Sequence, residues 1–476
     1  MDPFRVTFLP QKLTIAVPSG TTLLQAQIDA GLRPDAPCGG NGSCGKCLVV
    51  LDGREVPACQ TAVDRDMTVH TKYSDTATIL TGGLSAAVSP DGRDEYVLAC
   101  DIGTTTVVVC LLDGHTGARL ARSSATNPQS RFGADVISRI QHALRGGAEE
   151  LKTCIRDTLR TLWADAASQA GIDPAAVTRC AIVGNTAMHH LLLGIDPKPL
   201  VTPPYMPNLR EALELGCARV LPNIAGFVGG DTVGCMTATR FDQKEELTLL
   251  LDIGTNGEMV LGDKNRRVAC STAAGPAFEG AKISCGMAAA PGAVDHVTVK
   301  NGQLAHTVIG GGAPRGLCGS GLLDLVAALL DIGAIDGSGR MEGRAFTLCD
   351  NVTLTQRDIR EVQLAKAAVR AGIELMCAHL GKKTEEIQLV LLAGAFGSYM
   401  NPVCACRIGM IPPVLRKKIR SIGNAACEGA RLCALSAQEY AYSQRLAEGT
   451  EFLELAGLKD FQDRFVDALE FEEEEA

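Results

Sequence analysis

The chain has 476 residues, 46% of them hydrophobic and 21% charged, with a formal net charge of −9. That is too long for a single core, and length alone points to about three units. The acidic balance argues against nucleic acid or an anionic membrane surface as a partner. With neither a signal-like start nor a long apolar run, the chain is expected in the cytoplasm.

Phe4 to Leu9 and Lys12 to Val17 alternate apolar and polar residues around Pro10-Gln11, which predicts a hairpin. Ser19 and Thr21 are placed to cap a short helix that ends at Gly31, and LVVLDG and TVHT read as two further strands. Hairpin, helix, loop and two strands over residues 1–72 fit the β-grasp arrangement of small ferredoxins, an α+β domain.

Within this domain Cys38, Cys44, Cys47 and Cys59 are spaced C-x5-C-x2-C-x11-C among Gly39, Gly40, Gly42 and Gly45. Glycines let a backbone wrap closely and turn its N–H groups toward sulfur, and four thiolates suit a 2Fe-2S cluster. Four thiolates also suit zinc, but structural zinc sites use paired C-x2-C hooks and one such hook is present here. The other fifteen of the 19 cysteines are scattered; Cys110, Cys180 and Cys235 lie in apolar segments and read as small buried hydrophobes.

Residues 73–95 lose periodicity, gather Gly, Ser, Asp and Pro, and read as a linker that would let the redox domain swing. Beyond it the pattern is α/β, and one motif occurs twice. ACDIGTTTVVVCLLD carries Asp101, and LLLDIGTNGEMVLG carries Asp252. Each reads as a strand, an aspartate, a glycine turn with exposed N–H groups, and a second strand. The duplication predicts two lobes, 96–240 and 241–440, each with a phosphate-binding turn, followed by a C-terminal helix and an acidic tail over 441–476. The closing FEEEEA reads as a solvated tail.

Between the two motifs, GNTAMHHLLLG opens a helix where an anion or a hinge fits, and His189 and His190 on that helix read as packing residues. Asp231 follows two glycines and reads either as a helix cap or as a general base facing the cleft. A nucleoside triphosphate needs N–H donors, magnesium and a platform for adenosine. Asp101 and Asp252 are placed for Mg2+, held directly or through water. Gly103, Thr104, Thr105, Gly254, Thr255 and Asn256 are placed for the phosphates. The turn Gly394, Ala395, Phe396, Gly397 lets adenosine approach the backbone.

The order DIGTT, GNTAMHHLLLG, GGD, LLLDIGTNGE, CSTAAGPAFEGA, GLCGSGLLD, LAGAFG, GNAACEGA resembles the superfamily of acetate kinase, sugar kinases, heat-shock chaperone ATPases and actin. With an N-terminal ferredoxin it resembles, more narrowly, the reductive activators of corrinoid-dependent proteins. That resemblance implies an ATP-hydrolysing enzyme that passes an electron from its 2Fe-2S cluster to inactive Co(II) in a corrinoid protein, restoring Co(I). It also implies an upstream electron donor such as a ferredoxin or flavoprotein, and is compatible with a homodimer. Longer members of the family carry an extra middle domain that this chain is expected to lack. The competing readings are a sugar kinase-type small-molecule kinase with a redox-sensing domain, with Asp231 as its base, an activator of a radical-type dehydratase, and a non-enzymatic filament protein.

Overall fold

The computed structural model describes residues 3–10, 12–30, 32, 34, 42, 47–71, 84–203, 205–254, 256–280 and 282–472. Cys38, Cys44, Thr255 and the first part of the expected linker lie outside these residues.

The N-terminal domain is built from β1 (Phe4–Leu9), β2 (Leu13–Val17), α1 (Leu23–Asp29), β3 (Leu48–Leu51), β4 (Arg54–Pro57) and β5 (Met67–Thr71). The strands form a five-stranded sheet in the order β2-β1-β5-β3-β4, with β1 antiparallel to β2 and parallel to β5. Alternation puts Val6, Phe8, Val49 and Val69 on one face, where they bury against Leu23 and Ala26 of α1. Thr22 caps that helix by accepting the Gln25 amide at 3.1 Å, one residue later than Thr21.

The first lobe contains β6 (Tyr96–Ile102), β7 (Thr106–Asp113), β8 (Arg119–Thr126), α2 (Val136–His142), α3 (Ala148–Ala170), β9 (Val177–Gly184), α4 (Thr186–Leu193), β10 (Leu213–Leu215), β11 (Ala218–Val220) and α5 (Gly230–Thr239). The second opens with β12 (Thr248–Ile253), β13 (Gly257–Gly262) and β14 (Arg267–Thr272). It continues through β15 (Ala293–Lys300), β16 (Gln303–Val308), β17 (Gly316–Leu317), α6 (Gly319–Asp331), β18 (Ala345–Cys349), β19 (Val352–Thr355) and α7 (Gln356–His379). Then come β20 (Leu389–Ala393), α8 (Gly394–Tyr399), α9 (Pro402–Arg407), β21 (Ile419–Gly423), α10 (Ala425–Leu435), α11 (Ala437–Glu448), β22 (Glu451–Phe452) and α12 (Phe461–Asp467).

The duplicated motif is mirrored in topology. One sheet runs β8-β7-β6-β9-β11 with β10 outside, the other β14-β13-β12-β20-β21 with β22 outside. In each, an antiparallel meander is extended by parallel strands, so Asp101 and Asp252 stand at matching places near the ends of β6 and β12.

Three apolar cores separate five layers. Helices α2, α3 and α4 cover the outer face of the first sheet. Helices α6 and α7 cover the outer face of the second. Between the sheets lie α5, α10 and α11, sharing one core with Ala99, Val183, Leu250 and Leu391. This is the two-lobed actin-like α/β arrangement, and α5 and α10 form its central layer.

Two segments differ from expectation. Residues 84–95 are seated along α10: Leu84 and Val88 pack on the central core, and the amide of Leu84 donates to Ile422 O at 3.0 Å. Two apolar side chains are enough to seat an extended strap whose composition otherwise reads as loop. At the other end, Phe471 is buried, Glu472 pairs with Arg370 at 2.6 Å, and Arg407 Nη1 donates to Glu472 O at 2.7 Å. The first two residues of FEEEEA are therefore docked, because one aromatic ring and two guanidinium groups hold them against α7 and α9.

Candidate functional site

Asp101 and Asp252 sit one residue before the last residue of an apolar strand, which carries each carboxylate to the cleft between the lobes. The turns that follow are closed by Gly103 N to Thr106 O at 2.9 Å and Gly254 N to Asn256 O at 2.8 Å. Gly394, at φ +77°, starts α8 beside this site, and a Cβ there would lie 2.5 Å from Asp252 Oδ1. Both the backbone angle and the space demand glycine.

Asp231 lies in the first turn of α5 and accepts the Thr232 amide at 2.7 Å. Asn424 caps α10, accepting the Cys427 amide at 2.8 Å while its Nδ2 donates to Asp101 Oδ2 at 2.8 Å. Glu258 on β13 stands directly opposite Asp252 in the sheet register.

These carboxylates are half-buried and press on one another. Burial, followed by the charges of Asp252 and Asp101, pushes Asp231 up to about 7. Burial and then Asp101 push Asp252 up to about 6. Asp101 rises to about 6 through burial, against the lowering bond from Asn424. Glu258 is held well above the usual carboxylate range by burial, Asp231 and Asp252. Such an electronegative hollow is relieved by a cation. Among the described residues no three His, Cys, Asp or Glu side chains cage an ion by themselves. The arrangement therefore suits a cation that keeps waters and takes its remaining ligands from phosphate.

The first turn is held from outside. Asn127 Nδ2 donates to Gly103 O at 2.8 Å, Arg139 Nη2 to Thr104 O at 2.7 Å, and Asn185 Nδ2 to Thr104 Oγ1 at 2.9 Å. Arg139 is fully buried, which lowers its pKa to about 10. Thr105 Oγ1 reaches across to Glu279 of the second lobe at 3.4 Å. Phe396 stacks on Phe278 with ring centroids 4.9 Å apart, a flat apolar surface beside the Gly394–Gly397 turn, and Ala395 lies within α8 between them. His189 and His190 are buried in the helix core, and burial drives His189 down to about 3. Sequence reasoning passed over Glu258, Asn127, Arg139, Asn185 and Asn424 as ligands or supports; the GNT and GNAACEGA helix starts were the available signal.

In the N-terminal domain the β3–β4 hairpin brings two of the four cysteines together. Cys47 is buried just before β3, and Cys59 lies in a single helical turn, Ala58–Gln60, just after β4. The Cys59 amide points at Cys47 Sγ at 3.4 Å, and the Ala58 amide at Cys47 O at 2.8 Å. Gly42 packs so closely that a Cβ would meet Gln60 Nε2 at 2.0 Å. A sulfur that receives an amide at a glycine-lined corner fits a cluster-bound thiolate.

Two sheets of one topology around a carboxylate-lined cleft, joined to a cysteine-rich β-grasp domain, define an actin-like ATPase enzyme carrying a 2Fe-2S domain. Family models agree: residues 6–77 match the 2Fe-2S iron-sulfur cluster binding domain, 96–244 the RACo middle region, and 246–476 the C-terminal domain of RACo, the ASKHA domain. The corrinoid activation enzyme RamQ of Eubacterium limosum is 34% identical over 403 residues, 76% of this chain and 68% of that protein. The [Co(II) methylated amine-specific corrinoid protein] reductase of Methanosarcina barkeri is 27% identical over 379 residues, 71% of this chain and 69% of that protein. A solved structure of a reductive activator for corrinoid, iron-sulfur protein superposes with a TM-score of 0.71 at 30% identity, covering 98% of both chains. The chain belongs to the family of reductive activators of corrinoid proteins. The matched middle region coincides with the stretch read as the first lobe.

Proposed function

We propose that this enzyme uses ATP to drive the one-electron reduction of inactive Co(II) to Co(I) in a partner corrinoid protein. The observation that carries this reading is the covalent union of a cysteine-lined corner with a duplicated carboxylate cleft. Cys38, Cys44, Cys47 and Cys59 would hold the 2Fe-2S cluster, which supplies one-electron chemistry. Ferredoxin-type clusters of this kind sit at about −400 mV. Reducing Co(II) to Co(I) is expected to lie uphill of such a donor, and a conformational input from ATP supplies the difference.

In this reading Asp101 and Asp252 hold Mg2+ with the nucleotide phosphates, and the turns Gly103, Thr104, Thr105 and Gly254, Thr255, Asn256 offer N–H donors to those phosphates. Gly394, Ala395, Phe396 and Gly397, with Phe278 behind, form the platform for adenosine. Asp231, poised near neutrality, takes the proton of the attacking water. An upstream ferredoxin or flavoprotein refills the cluster, and the enzyme works in the cytoplasm as a homodimer. Among the described residues no helix is long and apolar enough to cross a membrane.

The test is an anaerobic titration of several Co(II) corrinoid proteins with the reduced enzyme and ATP, following the Co(I) absorption band. Cys47→Ala is expected to abolish cobalt reduction and leave ATP binding largely intact. Asp252→Ala is expected to slow ATP hydrolysis at least about 100-fold and leave the visible spectrum of the cluster unchanged. Cobalt reduction that persists in Cys47→Ala would overturn the electron route, and formation of a phosphorylated small molecule would favour the kinase reading.

A further inference from the structure

Helix α10 meets three parts of the molecule at once. At its start, Asn424 holds the Asp101 carboxylate. Along one flank it lies backbone to backbone against α5: a Cβ on Gly429 would come within 2.2 Å of Gly234 O, and one on Gly234 within 2.9 Å of Ala426 O. With no side chain between them, α10 cannot shift without moving α5, whose first turn carries Asp231.

The other flank grips the chain that comes from the redox domain. Glu428 Oε1 accepts the Ala86 amide at 2.7 Å, and Arg431 Nη2 donates to Ala86 O at 2.5 Å. The two side chains also pair with each other, Nη2 to Oε1 at 2.8 Å and Nε to Oε2 at 2.9 Å, with side-chain exposures of only 14% and 11%. Both polar groups of Ala86 are thus closed into one charge-assisted ring. Farther along, the Asp91 amide donates to Leu435 O at 2.9 Å and the Asp91 carboxylate accepts the Ala437 amide at 2.8 Å. A grip at both ends of α10 fixes the position of the strap along the helix, which apolar packing of Leu84 and Val88 alone would not do.

We propose that Glu428 and Arg431 are coupling residues: they carry nucleotide-driven movement of α10 and α5 to the segment 84–91, and through it to the iron–sulfur domain. This rests on the ATP-driven reading above. The nucleotide cleft and the strap then share one mechanical part, the eleven residues of α10. Neither residue bonds the nucleotide turns; besides the strap, Arg431 Nη1 donates to Gly117 O in the β7–β8 turn at 3.3 Å.

The experiment compares the full-length holoenzyme with Glu428→Ala, Arg431→Ala and the milder Glu428→Gln, measuring ATP hydrolysis and Co(II) reduction in the same samples. Hydrolysis is expected to stay within about twofold of the parent, while the cobalt reduced per ATP falls about tenfold. Hydrogen exchange in the parent enzyme gives a second readout. Amides of segment 84–91 are expected to exchange at different rates with ADP and with a non-hydrolysable ATP analogue, and the difference is expected to vanish in Arg431→Ala. An unchanged ratio of cobalt reduced to ATP hydrolysed in all three variants, or identical exchange in the two nucleotide states of the parent, would overturn the coupling role. If the parent enzyme itself reduces no cobalt, the functional reading fails instead. If the alanine variants do not fold, Glu428→Gln and the exchange measurement decide.

Discussion

Asp231 is a carboxylate that its neighbours make hard to ionise, and this has a sign that can be checked. In the unfolded chain it loses its proton near the ordinary value of 3.8; in the folded chain it keeps it to about 7. The folded state therefore binds more protons between these values, so the stability this group contributes is complete below about 3.8 and lost as pH rises toward about 7. Asp101 and Asp252 act in the same direction up to about 6. Thermal melts of the nucleotide-free enzyme are expected to fall between pH 5 and pH 7.5, and Asp231→Asn should make that fall shallower; a steeper fall in the variant would contradict the electrostatic picture. Asp101 and Asp252 stand out in the sequence because each closes an apolar run before a glycine turn, and Asp231 because it follows two glycines. Glu258 lies in the same stretch as Asp252 and was passed over, since one acidic residue at the start of an apolar strand carries no signal of its own. Only the register of β12 on β13 sets it across from Asp252.

At the scale of elements, the duplicated strand–turn–strand motif foretold two like sheets because period-two patterning and a glycine turn act locally. The central layer was not legible in the same way. The run GNAACEGARLCA announces a helix with a small-residue face, but nothing within it says that the face meets Gly234, nearly two hundred residues earlier in the chain. Gly429→Ala tests that contact. The added methyl group has no room, and overpacking of this kind is expected to cost about 1–3 kcal/mol, read as a lowered denaturant midpoint. Because α5 and α10 carry Asp231 and the partner of Asp101, the same change should weaken ATP binding. Gly457, whose added Cβ meets nothing within 4 Å, makes the control: Gly457→Ala should leave both quantities near the parent values.

For the molecule as a whole, the C-terminal segment shows why charge runs mislead. Four glutamates in a row read as solvated, yet Phe471 before them is buried, with Lys366 5.3 Å from its ring centroid. Lys366 is itself buried, its pKa brought down to about 8 by desolvation, and its ammonium bonds Glu470 O. Gln363 Nε2 reaches Leu469 O at 2.9 Å. Removing the ring in Phe471→Ala is expected to cost about 3 kcal/mol, seen as a lowered unfolding midpoint with the cluster spectrum unchanged. A midpoint equal to that of the parent would mean that the tail is not held in solution. A single aromatic residue among acids carries too little pattern for sequence reasoning to separate docking from exposure.

The strap also decides where this protein divides. The family model for the middle region starts at Tyr96, a natural place to begin a fragment. A fragment begun there would strip Leu84 and Val88 from the central core and leave Glu428 and Arg431 without Ala86. Residues 84–95 thus pack with the ATPase and not as a free tether. Exchanging one iron–sulfur module for another in this architecture therefore has its seam before Leu84, and a graft joined later would replace part of the engine along with the electron carrier.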